Sequence, residues 1–546
     1  MRTTLLSLVL MLSLFGCKQE KEEVPGYNEA LLIEQQQEHE NPRMRYKLIA
    51  SRVERPDMFA PFEKALDKFG EERYTEMMPL VLERSIPEIQ ESVAAEEFTY
   101  EELCLFYLWR IRKYEQNPET SLHTIISLNP QILEQAAAMD RLRQQQENKH
   151  PIFGMPVLLK DNIGAEGMPT TAGAVVLQDN MAGDAFITKQ LKSKGALILG
   201  KANLSEWAYY FCQGCPVGYS AIGGQTLNPY GPREFETGGS SSGSGVAIAA
   251  NYAVGAVGSE TSGSILSPSG QNSVVGLKPT IGVLGRTGIV PISSTLDTPG
   301  PMTKNVTDNV ILMDAMSGED PDDAASLGGT ADYLAALSGT ELQGKRLGVY
   351  QPYMESDSLY AQAVEALRKA GAEILVYEEQ EGGRMQGFTT LLNMDMKYDL
   401  PAYLEEHSSK NITVREVADI AQFNLQDTLV RMPYGQKYFQ DIIADTTSST
   451  ALEAIKETLR VEGQKRFDMA LKIDNVDAFL SINNYSAGYA AVAKYPALCV
   501  PMGYTPSGEP EGITLIGLPY SEKELLELGM AIETVLKARK QPEIYK

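Results

Sequence analysis

Residues Gly238 to Pro279 read GGSSSGSGVAIAANYAVGAVGSETSGSILSPSGQNSVVGLKP. Two Ser/Gly-rich turns, Gly238–Gly245 and Ser259–Ser264, flank the small apolar segment Val246–Val257. Glycine admits backbone conformations that a side chain forbids and lets amide groups come close to a ligand. Serine adds a hydroxyl that donates, accepts, or attacks once a base takes its proton. Ser/Gly stretches by themselves usually make linkers or turns. A linker, however, does not run on into AIAANYAV and VVGLKP, which have the composition of a core. Two polar turns around a buried element describe a site.

Upstream, the apolar run Met155–Lys160 ends in lysine, as a buried strand does when its last residue emerges at the sheet's edge. Ala185–Lys194 and Leu197–Gly200 read as a helix followed by a strand. Further helices are expected over Tyr100–Tyr114, where Leu103, Tyr107, Leu108 and Ile111 share a face, and over Pro130–Arg143. Downstream, Lys345–Tyr350, Leu359–Ala370 and Ala372–Tyr377 read strand–helix–strand, without the GxGxxG that would place a nucleotide there. Gln386–Asp474 is mostly helical in pattern and is expected to form the wall or lid of a substrate pocket. Asp477–Ser481 and Ala497–Gly503 read as late strands and Glu522–Arg539 as a final helix.

A chain of 546 residues has room for one very large α/β domain or two to three ordinary ones. The formal charge of −24 repels phosphate backbones, so nucleic-acid partners are disfavoured and solubility accounts for the acidity. Met1-Arg2, the apolar Leu5–Phe15 and Gly16-Cys17 have the form of a secretory signal over residues 1–16, too short to span a bilayer. The tail LFGC resembles a bacterial lipobox, which implies cleavage before Cys17 and a lipid on its sulfur. The alternative is an ordinary signal with an incidental cysteine, since Phe15 is larger than the residue lipoboxes favour. The expectation is an exported protein, lipid-anchored at Cys17 in the periplasm or on the cell surface, with residues 17–46 as a charged tether followed by a frayed helix and 47–546 as one domain. Cys212 and Cys215 read as a local disulfide or as two free thiols; no second CxxC or nearby histidine completes a metal site.

Only His39, His123, His150 and His407 exist, and none lies in a setting that pairs it with a serine, so a Ser-His-Asp triad is disfavoured. The GGSSSGSGVAIAAN block, the turn ending in Ser264, VGLKPT from Val275, LDTPGPM from Leu296, PVLLKDNI (Pro156–Ile163) and LGKANLSEW (Leu199–Trp207) together resemble the amidase signature family. Within it the chain is most similar to peptide amidases, notably around YLEEH, IAQFN and YGQKYF. The resemblance implies an α/β fold with a large mixed β-sheet covered by helices, and a signature core over about residues 150–310. By motif position Ser264 matches the nucleophile, Ser240 the serine that follows a cis peptide bond, and Lys160 the base; burial would make that lysine neutral enough to act. Alone, Lys160 reads as a surface salt bridge and the serines as turn formers.

The resemblance also places the oxyanion donors on the backbone of Thr261, Ser262, Gly263 and Ser264. The family often has Asp-x-Gly-Gly-Ser-Ile-Arg where this chain has Glu260-Thr261-Ser262-Gly263-Ser264-Ile265-Leu266, a departure bearing on substrate range. Asp161, Glu206 and Glu260 invite a paired-carboxylate reading, but orienting Lys160 or closing a turn is the plainer role. Trp207 and Tyr209-Tyr210-Phe211 read as pocket lining or as core. The expected reaction is hydrolysis of a carboxamide, preferably a peptide C-terminal amide, to acid and ammonia through an acyl-enzyme, with no metal or cofactor. The alternatives are fatty or aryl amides, the ammonia-supplying subunit of a tRNA amidotransferase, which the export signal contradicts, and a non-catalytic surface binding lipoprotein.

Overall fold

The computed structural model describes residues 27–143, 149–327, 331–339, 341–378, 383 and 385–546; the expected signal peptide and Cys17 lie outside them. The strands of the first half are β1 (Ile125–Leu128), β2 (Pro156–Lys160), β3 (Leu197–Ala202), β4 (Tyr219–Ser220), β5 (Gly224–Gln225) and β6 (Gly255–Glu260). They are followed by β7 (Val275–Lys278), β8 (Thr298–Thr303), β9 (Arg346–Tyr350) and β10 (Glu373–Tyr377). The last are β11 (Ala478–Ile482), β12 (Ala497–Tyr504) and β13 (Pro510–Ile516). Among the described residues, eleven strands form one sheet in the order β1-β3-β2-β6-β8-β7-β12-β13-β11-β9-β10, and β4 and β5 form a separate ribbon. The sheet is mixed: β3, β2 and β6 run parallel, as do β11, β9 and β10, and the other neighbours are antiparallel.

All five residues of β2 are buried, as in a strand covered on both faces, which is why it reads as a continuous apolar run without alternation. Its register with β6 pairs Val157 with Gly255 and Leu159 with Val257. Parallel pairing therefore brings the C-terminal ends of both strands, Lys160 and Ser259-Glu260, to the same edge. The apolar segment Val246–Val257 divides between the fully buried helix Ser242–Ala249 and β6. That helix begins just after Ser240-Ser241, so the serine turn faces the same edge of the sheet.

The expected helices and strands appear with ends moved by one to three residues, including Tyr100–Glu115, Phe186–Ser193, Ser358–Lys369 and Glu522–Leu536. Strand β8, TPGPMT, went unread because proline lacks the amide hydrogen a central strand needs. It pairs with β6 along its whole length, but its ladder to β7 covers only Val275↔Thr303 and Gly276↔Met302. Pro299 and Pro301 thus lie where β7 no longer pairs, and their missing amide hydrogens cost no bond to β7. From Tyr27 the chain carries the helix Glu29–Gln36 and buries Met44 and Tyr46, so packing begins before residue 47. The Gln36 side chain donates to the Arg233 carbonyl (2.9 Å), which fixes this helix to the body. Among the described residues no helix is long and apolar enough to cross a membrane.

Candidate active site

Lys160 is fully buried at the end of β2. Its Nζ lies 2.8 Å from Ser240 Oγ, 3.0 Å from the Ser259 carbonyl oxygen and 3.0 Å from Ser259 Oγ. The Gly239–Ser240 peptide is cis. The Ser241 amide donates to the Ser264 carbonyl (3.2 Å), so the two serine turns are joined backbone to backbone beside the lysine. Ser240 is fully buried, whereas Ser264 keeps 9 % exposure. Burial pushes the Lys160 ammonium down to about 7, against the pull of the Asp297 and Glu260 carboxylates. An amine of that kind is partly neutral at neutral pH and can accept a proton.

Glu260, at the end of β6, reaches back under its own turn. One carboxylate oxygen accepts from the Gly263 amide (2.6 Å) and the other from the Ile265 (2.7 Å) and Leu266 (3.0 Å) amides. The expectation that Gly263 offers its amide to an oxyanion is corrected here, because Glu260 already occupies that amide. The amides of Thr261, Ser262 and Ser264 are not engaged by Glu260. The Thr261 hydroxyl donates to Asp297, whose second oxygen accepts from the Ile292 (2.8 Å) and Ser293 (2.9 Å) amides. Burial pushes the Asp297 carboxyl up.

Asp161 does not touch Lys160. It pairs with Lys201 (3.0 Å), both side chains fully buried, and accepts from the Thr171 amide and hydroxyl. Lys201 also donates to Thr170 Oγ1 (3.0 Å), so the pair closes the 169–171 turn against the sheet. Glu206 accepts from the Ala221 amide (3.0 Å), and burial holds its carboxyl well above the usual range. The three carboxylates singled out in the sequence therefore serve three separate turns.

The aromatic run is core. Trp207 and Phe211 pack on Phe439, and Tyr210 stacks on Tyr438 at 4.7 Å, so the run meets the helix Lys437–Ala444 of the expected wall. Cys212 and Cys215, left open in the sequence, are disulfide-bonded beside it. A cavity of about 270 Å³ adjoins the start of the second serine turn, with Asn162, Ser259 and Thr261 on the site's side and Val290, Ile292 and Tyr403 among its other lining residues. Tyr403 belongs to the helix Phe388–Glu406. Lys160 is one hydrogen bond behind this cavity, through Ser259. Ser259, Asn162 and Asp297 were not singled out in the sequence, although each lies in or beside a quoted motif block.

A family model described as Amidase matches residues 102–384. The chain belongs to the amidase family, and it is an amide-hydrolysing enzyme with the amidase signature fold. A probable amidase of Arabidopsis thaliana is 37% identical over 487 residues, covering 85% of this chain and 92% of that protein. The structure of an amidase family protein from Bacillus anthracis superposes with a TM-score of 0.86 at 36% identity, covering 91% of this chain and 99% of that one. Peptide amidase from Stenotrophomonas maltophilia superposes with a TM-score of 0.80 at 36% identity, covering 85% of this chain and 99% of its own.

Proposed function

We propose that this amidase removes the C-terminal amide of peptides, with Ser264 as nucleophile, Ser240 as proton relay and Lys160 as base. The observation that carries the reading is the 2.8 Å contact of the buried Lys160 amine with Ser240, on a turn whose next amide holds the Ser264 carbonyl. Neutral Lys160 takes the Ser240 proton as Ser240 takes that of Ser264. Ser264 Oγ then bonds to the amide carbon, and the amides of Thr261, Ser262 and Ser264 face the developing oxyanion. The C–N bond breaks as the proton returns through Ser240 to the leaving nitrogen, so ammonia departs and an ester remains on Ser264. Water attacks that ester, its proton follows the same route, and the acid leaves with Ser264 restored. The sum is amide plus water to acid plus ammonia.

The peptide preference is supported by the likeness to the S. maltophilia peptide amidase, and by a cavity that carries both apolar side chains and an amide. Export and anchoring at Cys17 belong to the same proposal and rest on the form of residues 1–17. The test is ammonia release from a panel of peptide, fatty and aryl amides, with Ser264→Ala and Lys160→Ala as controls. Peptide amides should be cleaved fastest. A faster rate on fatty or aryl amides removes the substrate preference, and undiminished ammonia release by both variants removes the assigned triad. Labelling with radioactive palmitate that survives Cys17→Ser would remove the anchor.

A further inference from the structure

Asn162 lies two residues beyond Lys160, is 2 % exposed and lines the cavity. Its Nδ2 donates to Ser259 Oγ (2.9 Å) and sits 3.4 Å from the Val290 carbonyl oxygen. A carbonyl oxygen only accepts, so the nitrogen is the atom that faces Val290, and Oδ1 is the other branch of the amide. That Oδ1 is buried and, among the described residues, has no hydrogen-bond partner. Buried acceptors in folded proteins are nearly always satisfied, so an orphan on a residue that lines a cavity points to a donor that the protein does not itself supply.

We propose that Asn162 Oδ1 reads the substrate by accepting the N–H on the carbon next to the scissile carboxamide, and so selects N-acylated amino-acid amides. This rests on the peptide-amide reading above and says which atom enforces it. A peptidyl amide carries that N–H; a fatty or aryl amide has only carbon at the same position. A substrate lacking the N–H would leave the buried acceptor unpaired, and a site that must hydrogen-bond a substrate group discriminates strongly against the analogue without it. The same side chain donates to Ser259, and Ser259 accepts from Lys160, so the residue that reads the substrate also belongs to the chain that holds the base.

The test compares N-acetylalaninamide with 2-acetoxypropanamide, in which that single N–H becomes an ether-type oxygen, by ammonia release. The wild-type enzyme should favour the N–H substrate by about tenfold or more in kcat/KM, and Asn162→Ala should bring the two within about threefold. Asn162→Asp keeps an acceptor and loses the donor to Ser259, so it should retain the preference at lower kcat, and it serves if Asn162→Ala does not fold. A preference that survives unchanged in Asn162→Ala, one lost in Asn162→Asp, or equal wild-type rates on both substrates overturns the inference. Ammonia from hexanamide but from neither test amide overturns the peptide-amide reading beneath it.

Discussion

Lys160 is a cation made uncomfortable by its surroundings, which suits it to the role of base proposed for it. Moving its ammonium from 10.5 down to about 7 corresponds to about 5 kcal/mol of lost charge stabilisation. In the proposed mechanism the base is active when neutral, so protonation below its folded value switches it off. The kcat/KM profile should be level above pH 7 to 8 and fall about tenfold per unit below it, a limb absent from any residual activity of Lys160→Met. Ammonia release by Lys160→Met or Ser264→Ala should drop at least about a thousandfold while far-ultraviolet circular dichroism stays unchanged. That Lys160, Ser240 and Ser264 come together at one edge of the sheet was implied by the motif blocks of the resemblance. Ser259 was not, because its contact with Lys160 exists only through the β2–β6 register, and a register between strands about a hundred residues apart leaves no local trace.

At the scale of the element, the turn from Glu260 to Leu266 is held from within by one carboxylate that accepts three amides. Glu260→Gln keeps the shape but replaces an acceptor by a donor, leaving one or two buried amides unpaired at about 1–3 kcal/mol each. We expect kcat to fall by one to two orders of magnitude with KM changed little, together with a lowered urea midpoint. The Asp161–Lys201 pair gives a second test. Lys201→Met strands a buried carboxylate and should cost about 3–5 kcal/mol in urea denaturation, much of it recovered by Asp161→Leu in the same chain. Local pattern revealed elements such as β2 and the helix Tyr100–Glu115, where apolar spacing and burial coincide. It missed β8, whose prolines contradict its position until the short ladder to β7 is known. The resemblance, for its part, gave Gly263 a free amide, since nothing in the order of residues says that Glu260 folds back onto its own turn.

For the whole molecule, several lysines are enclosed at a cost. Burial holds Lys160 at about 7 and Lys278 at about 8, and it lowers Lys201 and Lys304 as well. Each such amine has a lower affinity for protons when folded than when unfolded. Between the folded values and 10.5 the unfolded chain therefore binds more protons, and stability rises with pH. Between pH 7.5 and 8.5, Lys160 and Lys278 together should add about 2 kcal/mol, read as a rising urea midpoint, and Lys160→Met should lose about half of that rise.

Arg110 is fully buried on the helix Tyr100–Glu115, yet among the described residues no carboxylate pairs with it. Its guanidinium donates instead to the Ala250 carbonyl (2.9 Å), the Tyr74 hydroxyl (2.6 Å) and the carbonyl of Tyr545, 435 residues further along. During synthesis that helix must therefore wait for a segment made more than four hundred residues later before its charge is fully solvated by protein. Until then the nascent chain exposes or hydrates that corner, and the ribosome's progress, rather than local helix formation, sets when the fold can close.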